Sequence, residues 1–126
     1  MGIDTSAIIA ILRQEPEAQA YALAIQKDPV RLLSAASALE AALMIEARKG
    51  ASGERDLDLL LHHAKAEVVP FTAEQFAAAR HAWRNYGKGS HPARLNFGDC
   101  CAYALAYVGE KLLAKGVTFV RLASGW

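Results

Sequence analysis

Three short apolar segments, each followed by a longer stretch with helical periodicity, limit the folds that this chain can adopt. The predicted strands are the segments "MGID", "VRLLSA" and "AEVVPF". Apolar strands that alternate with helices favour a parallel sheet whose faces are covered by those helices. We therefore expect an α/β fold, and the length of 126 residues favours one domain over residues 1–126.

Capping residues give the bounds of the predicted helices. Thr72 is placed as an N-cap, Pro16 opens a helix, and Gly50 and Gly87 end two others. The helices are predicted to begin near Thr5 and to cover 16–28, 36–50, 53–65, 72–87 and 97–108, with a loop at 88–96 and short strand-like tails at 110–116 and 117–123.

Composition excludes several functional classes. A formal net charge of +1 does not indicate a strongly basic nucleic-acid binder, and no apolar run has the ~20 residues of a membrane-spanning helix. Cys100 and Cys101 are adjacent, so we expect small buried thiols in a reducing, cytoplasmic compartment rather than a disulfide. The apolar fraction of 53% predicts a surface covered by a partner or a second copy.

Three acids stand alone in apolar segments. Asp4, Glu40 and Asp99 are the only charged residues of 1–12, 32–45 and 95–109. Asp4 lies at the predicted carboxyl end of the first strand, at the sheet edge where open α/β folds bind ligands. If the three acids converge, a hard cation such as Mg²⁺ or Mn²⁺ would offset their repulsion and could activate water against a phosphodiester.

Each acid also has a purely structural interpretation. Asp4 could cap the helix that follows it, and Asp99 could bond backbone amides in the first turn of its helix. Glu40 could pair with a buried arginine. A single acid in such a structural role is common. Three isolated acids that all have such roles by coincidence are less common.

A basic stretch without acids separates Glu74 from Asp99. Arg80, Arg84 and Lys88 are four residues apart and share a helix face, and Arg94 follows them. The interleaved aromatic residues are Trp83, Tyr86 and Phe97. The stretch suits an RNA backbone with stacked bases, and its alternative is a solvated helix face with the aromatic rings in a core or interface.

The motifs "IDTSAIIAIL", "LLSAASALEAALMIEARKG" and "KGSHPARLNFGDCCAYALA" together resemble the PIN-domain, VapC-type toxins of bacterial type II toxin–antitoxin modules. The resemblance implies a three-layer α/β/α sandwich around a short parallel sheet. It also implies an Mg²⁺- or Mn²⁺-dependent ribonuclease that forms a homodimer. A VapB-type antitoxin would inhibit the enzyme, and any contact with DNA would be made through that antitoxin.

The resemblance assigns the metal-binding and catalytic roles to Asp4, Glu40 and Asp99. Thr5, Ser6, Asn96 and Thr118 would support them. Thr118 lies in "KGVTF", where the family usually carries an acid, and a hydroxyl supplies no negative charge.

This departure keeps a second function open, namely a weakly active or inactive PIN-like module that mainly binds its antitoxin. A response-regulator receiver is disfavoured, because no Asp follows the third predicted strand.

Overall fold

The computed structural model describes residues 1–87, 89 and 94–113, with the backbone alone for 108–113. The elements in chain order are β1 (Gly2–Ile3), α1 (Thr5–Leu12), α2 (Ala18–Lys27), β2 (Leu32–Ser34), α3 (Ala35–Lys49), α4 (Ala51–Ala64), β3 (Glu67–Val69), α5 (Ala73–Tyr86) and α6 (Phe97–Leu113). Within these described residues, no helix is both long enough and apolar enough to cross a membrane.

The strands form a parallel sheet in the order β1-β2-β3, as expected for an α/β fold. Ile3 pairs with Leu33, and Leu33 pairs in turn with Val68. Because all three strands run the same way, the residues that follow them meet at one edge of the sheet. Asp4 lies directly after β1, and Ser34, the last residue of β2, caps α3 with its side chain.

Two apolar clusters hold the helices in place. The larger includes the fully buried Ile3, Ile8, Leu33 and Ile45, which join β1, α1, β2 and α3. The smaller packs Ala82 of α5 against Leu95 and Cys100 at the start of α6. Cys100 and Cys101 are buried free thiols, which confirms that they form no disulfide.

Two predicted boundaries are wrong. Pro16 lies in a turn before α2, which begins at Ala18 after an N-cap residue without a side-chain cap hydrogen bond. The segment predicted as a strand from Glu110 is helical through Leu113, because Glu, Lys and Leu favour continuation of an existing helix. Residues 114–123, with the second strand-like tail and Thr118, lie outside the described residues, as does Lys88.

Arg31 forms hydrogen bonds to the ends of two helices. Its guanidinium donates to the carbonyl oxygens of Ile25, Gln26 and Ala64 at 2.7, 2.8 and 3.0 Å. These carbonyls belong to the last turns of α2 and α4, where backbone carbonyls have no hydrogen-bond donor within the helix. The Arg31 guanidinium is therefore engaged in hydrogen bonds to backbone carbonyls.

Candidate active site

Asp4 combines a cap with a place at the sheet edge. It is the N-cap of α1, and its Oδ1 accepts a hydrogen bond of 2.9 Å from the Ser6 amide. Only 3% of the residue is exposed. Asp4 therefore caps α1, as its structural interpretation predicts. The cap uses one of the two oxygens of the carboxylate.

Asp99 is held in a reciprocal capping box at the start of α6. Its Oδ2 accepts from the Asn96 amide at 3.0 Å, while its own amide donates to Asn96 Oδ1 at 3.0 Å. The residue is 6% exposed. Asn96 thus fixes the Asp99 carboxylate, which gives the predicted supporting role of Asn96 a physical basis.

Glu40 differs from the two aspartates because it lies inside α3 rather than at a helix end. It is half-buried, and no described residue forms a hydrogen bond or an ion pair with its carboxylate. The pairing of Glu40 with a buried arginine is therefore not found among the described residues.

Gly98 brings the start of α6 against both α3 and α1. A Cβ on Gly98 would lie 2.8 Å from Glu40 Oε1 and 3.4 Å from Thr5 Oγ1. The Thr5 hydroxyl in turn donates to the carbonyl oxygen of Ser37, one turn before Glu40, at 3.3 Å. The carboxylate-bearing parts of α1, α3 and α6 are therefore neighbours. We call Asp4, Glu40 and Asp99 the carboxylate edge.

The thiol of Cys101 responds to two of these acids. Burial, followed by the charges of Glu40, Cys100 and Asp4, raises the pKa of Cys101 to about 12. Both Glu40 and Asp4 therefore act on this buried thiol through their charge. Burial, Glu17 and then Asp4 also raise the pKa of Tyr21 on α2.

Two helix N-termini stabilise the negative charge at this edge. Asp4 precedes α1 and Asp99 lies in the first turn of α6, where backbone N–H groups and the helix dipole favour anions. The same N-termini can attract a phosphate group.

The chemistry of the site fits a hydrated hard cation. Carboxylate oxygens are the ligands that Mg²⁺ and Mn²⁺ prefer, and Mg²⁺ keeps several waters while binding one or two carboxylates. In the described part of the chain, no three His, Cys, Asp or Glu side chains are gathered into a ready-made metal cluster. Ser37 Oγ is buried without a hydrogen-bond partner among these residues, and such a hydroxyl suits an ordered water.

The other predicted residues differ in exposure. Thr5 is buried and Ser6 is exposed. Arg80, Arg84 and Arg94 are all exposed, and the Arg80 guanidinium lies over the Phe76 ring, 5.3 Å from its centroid. Trp83, Tyr86 and Phe97 are exposed, so these aromatic residues do not belong to the core.

Sequence reasoning missed three residues beside the carboxylate edge, namely Ser37, Gly98 and Cys101. Gly98 carried a usable signal, because glycine in the first turn of a helix often marks a close approach by another group. Ser37 and Cys101 carried none, since both resemble ordinary small residues of an apolar helix.

Comparison with known proteins decides the family. The model of the PIN domain matches residues 1–123. The chain belongs to the PIN-domain family. This confirms the recognition made from the motifs, and the parallel sheet among mostly helical elements agrees with it.

The relatives of this PIN domain are VapC ribonucleases. It is 52% identical over 120 residues to ribonuclease VapC30 of Mycobacterium tuberculosis, an alignment that covers 94% of this chain and 92% of the relative. It is 54% identical to ribonuclease VapC of Mycolicibacterium smegmatis, with 94% and 93% covered. Ribonuclease VapC28 of Mycobacterium tuberculosis is 50% identical over 121 residues, with 94% and 91% covered.

Proposed function

We propose that this PIN domain is a VapC-type toxin, a metal-dependent endoribonuclease that hydrolyses RNA phosphodiester bonds. The observation that carries the proposal is the approach of α1, α3 and α6, each with an isolated acid, at one edge of a parallel sheet. The identity to VapC ribonucleases over nearly the whole chain supports the same activity. The match over residues 1–123 supports one PIN-like domain spanning the chain.

In the proposed mechanism, Asp4 and Asp99 would hold the cation, Mg²⁺ or Mn²⁺. Each carboxylate is oriented by a backbone amide, so little reorganisation is needed when the ion binds. When bound, the ion supplies charge neutralisation and a more acidic water.

Glu40 orients the attacking water and takes up its proton. Its carboxylate is not engaged by any other described residue, so it is available for this hydrogen bond. The water oxygen bonds to phosphorus as the bond from phosphorus to the leaving ribose oxygen breaks, and that oxygen takes a proton from solvent to leave as a hydroxyl. Thr5 and Ser6 support the arrangement, Thr5 by joining α1 to α3 and Ser6 through its amide at the start of α1.

The RNA backbone is bound by the exposed arginines Arg80, Arg84 and Arg94, with Lys88 continuing the series along the sequence. Guanidinium groups pair well with phosphate oxygens.

The proposed partners are a cognate VapB-type antitoxin and a second copy of this chain in a cytoplasmic homodimer. Leu39, Leu43 and Met44 are exposed on α3, which supports an interface on this helix. Any contact with DNA would be indirect, through the antitoxin.

Cleavage of a broad RNA panel with Mg²⁺ or Mn²⁺ tests the function. Asp4→Asn and Asp99→Asn keep a cap acceptor but remove the charge, so we expect both variants to fold and to lose at least about 100-fold in kcat/KM. The mechanism is wrong if both variants cut as fast as the wild type. Clear Mn²⁺ binding by calorimetry with no cleavage of any RNA would favour the antitoxin-binding module instead.

A further inference from the structure

Phe97 is an exposed aromatic residue beside the carboxylate edge. It is the first residue of α6 and 59% of it is exposed. Its immediate neighbours Asn96 and Gly98 take part in the capping box and the close approach to Glu40. Neither the capping box nor the close approach at Gly98 involves the Phe97 ring.

The backbone that carries Phe97 is firmly held. Leu95 is buried in the smaller apolar cluster, and its amide donates to the Tyr86 carbonyl at 2.8 Å. The two hydrogen bonds between Asn96 and Asp99 fix the next turn. The ring of Phe97 is therefore presented from a defined position, and a rigid support favours specific contacts.

Phe97 is close in sequence to the residues of the proposed chemistry. Gly98, the next residue, would meet Glu40 Oε1 at 2.8 Å if it had a Cβ, and Asp99 follows it. Exposed Arg94 lies three residues before Phe97. A cation, an aromatic ring and a carboxylate thus occur within residues 94–99.

We propose that Phe97 is a base-stacking residue, whose ring covers the nucleobase of a nucleotide adjacent to the scissile phosphate. This inference rests on the proposed RNA cleavage. A nucleobase has a flat apolar face with a charged backbone beside it, which matches a single ring among Arg94, Asn96 and Asp99. The exposed apolar residues that support a protein interface, Leu39, Leu43 and Met44, lie on α3, whereas the chain neighbours of Phe97 are the polar Asn96 and Arg94.

Kinetics on a short single-stranded RNA, with Mn²⁺ present, test the inference. Phe97→Leu keeps an apolar side chain but removes the aromatic face, and we expect it to raise KM about tenfold with little change in kcat. Phe97→Trp should keep KM at or below the wild-type value. Phe71→Leu is the matched control, because Phe71 is a partly exposed phenylalanine in the loop before α5 with no part in the proposed site, and its KM should not change.

A second substrate makes the test specific for stacking. The same RNA with an abasic nucleotide next to the cleaved bond should raise the wild-type KM to that of Phe97→Leu, while Phe97→Leu itself should not respond. An equal response of both proteins to the abasic substrate would overturn the inference. So would a Phe97→Leu variant that changes the monomer–dimer equilibrium and leaves KM unaltered.

The two proposals fail in different ways. If the wild type cleaves no RNA, the proposed function fails and the stacking role fails with it. If the wild type cleaves RNA and Phe97→Leu has wild-type KM, only the stacking role is wrong.

Discussion

The carboxylate edge and the outer face of α5 are built in opposite ways. At the edge, Asp4 and Asp99 are almost fully buried and bonded to backbone amides. The outer face of α5, which we define as Phe76, Arg80, Trp83 and Arg84, is exposed throughout. The contact within it is a cation–π pair between Arg80 and Phe76.

The difference reflects what each region has to do under the proposed function. Groups that act on a reacting atom must be oriented beforehand, and burial with fixed hydrogen bonds achieves this. Groups that bind a phosphate backbone act through long-range charge and tolerate movement. Substitutions at the edge should therefore reduce activity steeply, and those on α5 should reduce it gradually.

The largest expected effect is that of Glu40→Gln. Gln keeps the size of the side chain but cannot take up a proton, so kcat/KM for RNA should fall at least about 100-fold. The melting temperature should stay close to that of the wild type, because no described residue bonds to the carboxylate.

Glu46→Gln is the matched control for this substitution, since Glu46 is exposed on the same helix. Equal losses of activity in the two variants would mean that charge on α3, rather than the carboxylate edge, governs the rate.

Gly98→Ala should separate activity from stability. The new Cβ would lie 2.8 Å from Glu40 Oε1, the flexible end of a side chain, so Glu40 would be displaced. Alanine is better than glycine in a helix by about 1 kcal/mol, so thermal unfolding should show equal or greater stability. We expect about a tenfold loss in kcat, of the size seen when supporting contacts at a metal site are removed.

Gly53→Ala provides the opposite case. Its Cβ would lie 2.7 Å from the backbone oxygen of Ile45, where α3 and α4 cannot yield as a side chain can. Stability should fall by about 1–3 kcal/mol with kcat nearly unchanged. A Gly98→Ala variant of full activity would contradict the position assigned to Glu40.

The paired substitution of Arg80 and Arg84 by Gln should have a smaller effect on cleavage. KM should rise a few-fold at low salt, with kcat unchanged, because these side chains are exposed and are proposed to contact phosphates rather than the reacting atoms. The slope of log KM against log salt should flatten by about 0.7 for each phosphate that the variant no longer neutralises.

Arg48→Gln and Arg55→Gln, exposed on α3 and α4, are controls of the same charge change. If they flatten the salt dependence as much, the effect comes from net charge and the outer face of α5 has no special role.

The smallest expected effect is that of the Cys101 thiol on the free energy of unfolding, and it is absent at neutral pH. Its pKa rises from 9.0 to about 12 on folding, so between these values the folded protein binds more protons than the unfolded chain. The free energy of unfolding of the metal-free protein should therefore be unaffected by this group below pH 9. Above it, the free energy should fall by at most about 1.4 kcal/mol per pH unit.

Cys101→Ala should make this alkaline slope shallower, as measured by denaturant unfolding from about pH 8 to pH 10. An unchanged slope would show that folding does not raise the pKa of the Cys101 thiol. The slope is the relevant readout, because the loss of the sulfur also lowers stability at every pH.

Much of the fold could be predicted because its signals are local. Thr72 caps α5 through the Gln75 amide, three residues away, and Gly50 ends α3 with a positive φ of 58°. The wrong strand at Glu110 was also a local matter, since a short apolar run does not distinguish a strand from the end of a helix.

Within the candidate site, the sequence indicated Asp4, Glu40 and Asp99 by their isolation among apolar residues. Their roles as metal ligands stay predictions. The sequence could not indicate Ser37, whose carbonyl accepts from a hydroxyl 32 residues earlier in the chain.

By itself, the sequence determined the starts of α1 and α6 and the acids placed at them, because a capping carboxylate contacts amides two or three residues away. The tertiary structure alone decided that these starts meet, that Gly98 leaves room for Glu40, and that Phe97 faces solvent. Such contacts join segments that are far apart in the chain, and they depend on how the sheet and helices pack rather than on any neighbouring residue.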